Sequence, residues 1–190
     1  DEVIQGGQTM NPSTEDILNA AEKINADTIF VLPNNSNIIL ASNQAASIIE
    51  DKKLIVIPTK TIPQGITAMI NFELTRSADE NEKAMLESLS TVKSGQLTYA
   101  VRDTSIDGKE IKKDNYLGLG DNGLASVGTD MDDTLIDMLS EFVDDESELI
   151  SVYYGEDIDE NKAEELVYKI EEKFDGVDVE LQYGGQPVYY

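Results

Sequence analysis

The sequence predicts an α/β protein in two parts: a parallel-sheet first half, and a smaller α+β second half with a mixed sheet and hairpins. Three observations carry this. Two apolar runs, 28–32 and 54–57, are each closed by proline and flanked by helical stripes, as expected of parallel strands buried on both faces. Two turn dipeptides, Asp107-Gly108 and Asn122-Gly123, lie between apolar positions, as hairpins require. A chain of 190 residues, 40% hydrophobic and 27% charged, can also close a core, burying roughly 70% of its unfolded surface.

The elements follow in order. Ser13, with Asp16 three residues on, caps a helix whose inner stripe is Ile17, Leu18, Ala21 and Ile24. The first strand, 28–32, ends at Pro33. Asn34-Asn35-Ser36 caps a second helix running to about Glu50, and 54–57 is the second strand. A short helix from Pro63 places Ile66, Met69 and Ile70 on its apolar face, and 78–92 reads as an amphipathic connector. This alternation gives a first domain over 1–92 and a second over 93–190. The second opens on a strand at 97–101, continues through the two hairpins, and has a helix capped by Thr129 with Leu135, Ile136, Met138, Leu139 and Phe142 inward. A strand at 149–154, a helix at 159–174 with Ala163, Leu166, Val167 and Ile170 inward, and a strand at 177–183 follow. Residues 186–190 read as a further strand cut short, which suggests a piece of a larger protein.

Composition narrows the function. Fourteen Lys and Arg against 38 Asp and Glu give a net charge of −24. That field repels phosphate backbones and anionic headgroups, so nucleic acid and a polybasic membrane anchor are poor partners. Six basic and thirteen acidic groups fall in 1–92, eight and twenty-five in 93–190. The acidic excess is a solvated surface or a steering surface for a basic partner. No His, Cys or Trp occurs. This removes a Ser-His-Asp triad, a cysteine nucleophile, thiolate or imidazole metal sites, and disulfides. The absence of cysteine fits a reducing compartment, and cytoplasmic residence is expected. The opening residues lack a signal-peptide pattern, and no run reaches the ~20 apolar residues of a membrane helix.

Three motifs resolve to turn chemistry. The run 118–123 (Gly-Leu-Gly-Asp-Asn-Gly) matches G-x-G-x-x-G, but a strand follows it where a dinucleotide site needs a helix, so a type I′ hairpin at Asn122-Gly123 is expected. Asp103, Ser105, Asp107, Gly108 and Asp114 imitate a calcium loop, but their flanks are strand-like. Gly6-Gly7-Gln8 and Gly184-Gly185-Gln186 repeat a tripeptide of ribosomal release factors, a poor match for so acidic a chain.

What remains is a set of small, neutral, hydrogen-bonding loops in the first half: Gly6, Gly7, Gln8, Thr9 and Asn11; Asn34, Asn35, Ser36 and Asn37; and Thr59, Lys60, Thr61 and Gln64. They fall where open α/β sheets bind ligands, at the strands' C-terminal ends. Their readings are capping chemistry, a pocket for a small anion or acyl headgroup, or a docking surface. No catalytic residue can be nominated.

The segments 6–14, 31–38 and 56–65 resemble the C-terminal region of the FakA family, the ATP-binding subunits of bacterial fatty acid kinase, a dihydroxyacetone-kinase-like group. The segments 99–108 and 183–187 extend the likeness over nearly the whole chain and add Arg102 and Asp103 to the candidate residues. The resemblance implies a non-catalytic domain that docks a fatty-acid carrier, FakB, with ATP and magnesium on another domain of the parent chain. The kinase phosphorylates the carried acyl group for phospholipid synthesis. The second half also resembles the carriers, which are DegV-like. It differs in that 184–187 lacks the histidine with which carriers grip the lipid headgroup, and no cofactor is implied for this chain itself.

Overall fold

A computed structural model describes residues 1–6, 10–106 and 108–190. The chain divides into two compact units, Asp1–Ser94 and Gly95–Tyr190.

The first unit runs α1 (Thr14–Lys23), β1 (Thr28–Val31), α2 (Ser36–Ile48), β2 (Lys53–Val56), α3 (Ile62–Ile70) and α4 (Ala78–Ser88), with a 3₁₀ turn at Leu89–Thr91. Its helix starts are written in side chains. Ser13 and Asp16 form a reciprocal capping box on α1, and Ser77 and Glu80 do the same on α4. The Ser13 hydroxyl and amide hold the Asp16 carboxyl below the usual carboxylate range, as those of Ser77 do for Glu80. At the far end of α1, Lys52 donates to the carbonyls of Ala21, Glu22 and Ile24, covering groups the helix leaves open.

β1 and β2 pair in parallel, with Ile29 opposite Leu54 and Phe30 opposite Ile55. Alternation along each strand then feeds two cores. Ile29 and Leu54 pack with Ile17, Ala21 and Ala45 under α1 and α2. Ile55 and Ile57 pack with Ala68 and Met85 under α3 and α4, with Phe30 beside them. The helix expected as a connector thus contributes Met85 to a core. Asn81, nearly fully buried on α4, accepts the Glu73 amide and donates to the Glu73 and Arg76 carbonyls, pinning the α3–α4 loop.

α3 departs from the expected phase. Gln64, Gly65 and Ala68 face inward, while Met69 and Ile70 are 57% and 76% exposed and Ile66 is half-buried. The apolar stripe of this helix points outward.

The second unit runs β3 (Gly95–Tyr99), β4 (Thr104–Ile106), β5 (Lys109–Ile111), β6 (Tyr116–Gly120), β7 (Gly123–Gly128), α5 (Met131–Ser140), β8 (Leu149–Tyr154), α6 (Glu160–Lys173) and β9 (Asp178–Tyr183). Among the described residues the strands of this unit form three sheets in place of one mixed sheet: antiparallel β3-β6-β7, the β4-β5 hairpin, and a parallel β8-β9 pair joined through α6. The β4-β5 hairpin brackets Asp107-Gly108, of which Asp107 lies outside the described residues. The second hairpin turns one residue earlier than expected. Gly120 pairs with Gly123 around Asp121 and Asn122, neither of which has the positive φ that a type I′ turn demands. Gly123, at φ +109°, instead takes the left-handed position that lets β7 rejoin the ladder.

The cap of α5 is Asp130, whose carboxylate accepts the Asp133 amide; Thr129 stands one place outside. α5 lies against the antiparallel sheet on a floor of small residues. A Cβ on Gly118 would stand 2.2 Å from Ser126 Oγ and 2.8 Å from Met138 Cβ, and one on Gly120 would stand 2.5 Å from the Phe142 ring. The glycines of the G-x-G-x-x-G match serve close helix–sheet packing and a turn. They do not fit a nucleotide phosphate, because Met138 and Phe142 fill the space beside two of them.

On the other flank, α6 turns Ala163, Leu166 and Ile170 inward, and Leu166 and Ile170 pack with Ile150, Val152 and Val179. Asp132, largely buried in the first turn of α5, accepts hydrogen bonds from Lys162 at 2.8 Å and Lys169 at 2.5 Å on α6. Residues 186–190 form no strand. Instead Glu156 donates to the Gln186 carbonyl, Gln186 Nε2 donates to the Tyr153 carbonyl, and Tyr190 donates to Leu97 on β3. Tyr190 settles against the Tyr99 and Tyr116 rings, with centroids 6.0 and 5.6 Å away. Burial, helped by those neighbouring hydroxyls, raises its phenol above the usual value.

Candidate functional site

The loops after β1 and β2 meet at the sheet's C-terminal edge, as parallel β-strands with intervening helices require. Thr59, fully buried, joins them. Its hydroxyl accepts the Asn34 amide at 2.9 Å and donates to Asn34 Oδ1 at 2.8 Å. Asn34 holds φ at +55°, a left-handed conformation that asparagine tolerates better than most residues. Its side chain fills the space over Gly65, where a Cβ would stand 2.1 Å from Oδ1.

The rest of the cluster is equally committed. Gln64 Oε1 accepts the Lys60 amide at 2.8 Å. Thr61 caps α3 by accepting the Gln64 amide, and its hydroxyl also shares a 2.8 Å bond with Ser94. Asn35 caps α2 through the Asn37 amide. The two helix N-termini that would favour an anion have therefore drawn side chains of their own. The surface they leave open carries Ser36, Asn37, Lys60 and Ile62.

Of the residues named from sequence, Asn34, Thr59, Lys60, Thr61 and Gln64 form this network, and Asn35, Ser36 and Asn37 open α2 beside it. Gly6 and Asn11 are exposed, whereas Gly7, Gln8 and Thr9 lie outside the described residues. Arg102 and Asp103 belong to the second unit, where the Asp103 carboxylate accepts the Lys113 amide at 2.7 Å. Sequence reasoning missed Ser94. Gly65 closes the 56–65 segment singled out from the sequence, and a glycine one turn into a helix lowers stability unless something packs on it.

Thr59→Val keeps the shape of the side chain and removes both bonds to Asn34. A buried amide left without its partner is expected to cost about 1–2 kcal/mol in urea unfolding. Hydrogen exchange at Asn34 should accelerate in the same variant.

Two surface grooves lie away from this edge. One runs between 2–5 and α1 at Asp16, Asn19, Ala20 and Lys23; the other between 143–147 and 173–177. Among the described residues, no helix is long and apolar enough to cross a membrane.

Comparison with known proteins places the chain. Protein YloV of Bacillus subtilis (strain 168) is 46% identical over 187 residues, 98% of this chain and 34% of that protein. A protein of Staphylococcus aureus (strain MRSA252) matches with the same identity and coverage. The chain thus spans about a third of the length of these curated relatives. Among solved structures, a DegV family protein from Corynebacterium glutamicum superposes with a TM-score of 0.67 at 12% identity, over 95% of this chain and 79% of that one. The Streptococcus pneumoniae fatty acid kinase (Fak) B3 protein, solved loaded with linoleic acid, gives 0.64 at 15% identity, over 94% and 70%. These likenesses show the fold to be DegV-like. The FakA-like C-terminal family of fatty acid kinase matches residues 1–190, the whole of the chain, and it is to this family that the chain belongs.

Proposed function

We propose that this chain is the domain by which a fatty acid kinase subunit holds its fatty-acid-carrying partner, a protein of the FakB kind. Held there, the acyl carboxylate would face ATP and magnesium bound elsewhere on the parent chain. The observation that carries the reading is the family match along all 190 residues, to the C-terminal part of a kinase subunit. Two features support it. The polar groups of the candidate site are engaged with one another, which suits a scaffold better than a reaction centre. The charge of −24 suits a partner with a positive face. On this reading the domain contributes proximity, converting a bimolecular phosphoryl transfer into an effectively intramolecular one. The alternative, an anion or acyl headgroup held by the 34–37 and 59–64 loops, is weaker because the Asn34, Asn37, Lys60 and Gln64 amides and the Thr59 and Thr61 hydroxyls are already engaged within the loops and with Ser94.

Calorimetric titration of the intact parent subunit with linoleate-loaded carrier should give saturable binding that is lost when residues 1–190 are deleted, along with acyl phosphate formation. The association rate should fall several-fold as salt is raised from low to physiological strength. Undiminished binding by the deleted subunit would overturn the reading.

A further inference from the structure

α3 is amphipathic in the wrong sense. Its buried side carries Gln64, Gly65 and Ala68, while Ile62, Met69 and Ile70 are 61%, 57% and 76% exposed. At 100° per residue, positions 62, 66, 69 and 70 fall on one side, the spacing by which a helix presents anchors to a partner. The phase is not accidental. Gln64 must face inward to take the Lys60 amide, Gly65 must lie under Asn34, and Ala68 is fully buried in the core with Ile57 and Met85. The network at the loops thereby rotates the apolar stripe into solvent.

The same stretch is stripped of charge. Between Lys60 and Glu73 there is no ionisable side chain, in a chain where 27% of residues are charged. Depletion of charge around exposed apolar side chains marks the core of an interface, and isolated surface apolar residues do not show it. Charge also decides what covers it. A second copy would bring another −24 to the contact, and the long-range field opposes that approach. A partner of positive net charge is drawn in by the same field.

We propose that the outward stripe of α3, formed by Ile62, Ile66, Met69 and Ile70, is the contact core that holds the lipid-carrying partner. The partner meets it with an uncharged apolar patch on an otherwise positive face. This rests on the docking reading above and names the surface that performs it. The acidic residues of the chain bring the partner in, and the stripe sets how long it stays.

The test pairs the intact parent subunit with linoleate-loaded carrier. Met69→Asp and Ile70→Asp, both at exposed positions, should leave the thermal midpoint in place and raise Kd at least tenfold, chiefly through faster dissociation. Tyr168→Ser, at a residue 71% exposed in the second unit, should leave Kd unchanged. Wild-type binding with equal affinity in the α3 variants overturns the inference and leaves the docking reading standing; absence of wild-type binding removes both. Two other occupants have their own signatures. A carrier-free dimer in sedimentation velocity that Met69→Asp dissociates would assign the stripe to a second copy. Slow hydrogen exchange over 62–70 in the carrier-free parent chain, unchanged by carrier, would assign it to the rest of that chain. Either result overturns the proposal.

Discussion

Gly118→Val is expected to lower the urea midpoint of the chain more than any other change described for it, at a cost of about 3 kcal/mol or more. The reason is geometric. The new Cβ would stand 2.2 Å from Ser126 Oγ and 2.8 Å from Met138 Cβ, and neither neighbour is free to withdraw. Ser126 Oγ donates to the Thr134 carbonyl at 2.7 Å in the first turns of α5, and Met138 is buried on the same helix. To admit valine, α5 must lift from the sheet and loosen the Phe142 contact over Gly120 with it. A changed midpoint with an unchanged denaturant slope would confirm that the native packing is what suffers. A loss below 1 kcal/mol would show that the helix does not lie so close.

The second large effect is expected at Asp132→Ala. Burial alone would push the Asp132 carboxyl up, but hydrogen bonds from Lys162 and Lys169, with the charges behind them, outweigh it and hold the group below the usual value of 3.8. A carboxyl whose folded value is depressed stabilises the fold in full above its unfolded value. It loses that contribution as pH falls through the folded one. Removing one partner of a fully buried pair costs about 3–5 kcal/mol, but the two ammonium groups here are 40% and 54% exposed and regain water. The expected loss at pH 7 is therefore about 2–3 kcal/mol, shrinking as the pH drops below 3.8 and the wild type itself becomes protonated. Lys169 is raised by the same bond, so the ion pair also weakens above the ordinary lysine range near 10.5. A gap between wild type and variant that is constant from pH 7 to pH 3 would refute the assignment.

Local chemistry carried most of the fold into the sequence. Ser13 and Asn35 declare their helices because side-chain caps act within three residues. The runs at 28–32 and 54–57 declare buried parallel strands because both of their faces are covered. What could not be read is what depends on partners distant in sequence. The parallel pairing of β8 and β9 is decided by α6 crossing between them, and an alternating pattern such as that of 178–183 is compatible with either direction. The three-sheet division of the second unit follows from turn geometry, which the Asn122-Gly123 dipeptide suggested but misplaced by one residue.

The candidate site was legible as a set of loops but not as a network. Asn34 and Thr59 are 25 residues apart, and only the meeting of two strand ends shows that one hydroxyl satisfies both the amide and the side chain of Asn34. The phase of α3 failed for the same reason. Hydrophobic periodicity assumes that apolar residues face the core, and here Gln64 and Gly65 were claimed first by their neighbours.

Leaving Ile62, Met69 and Ile70 open to water has a colloidal consequence. At neutral pH the carboxylates keep molecules apart, and a sticky helix does no harm to solubility. Near the isoelectric value of about 4.1 that dispersing force vanishes, and the same helix becomes the adhesive through which the protein clumps. The acidity of this chain thus acts as a preservative for its own unguarded surface.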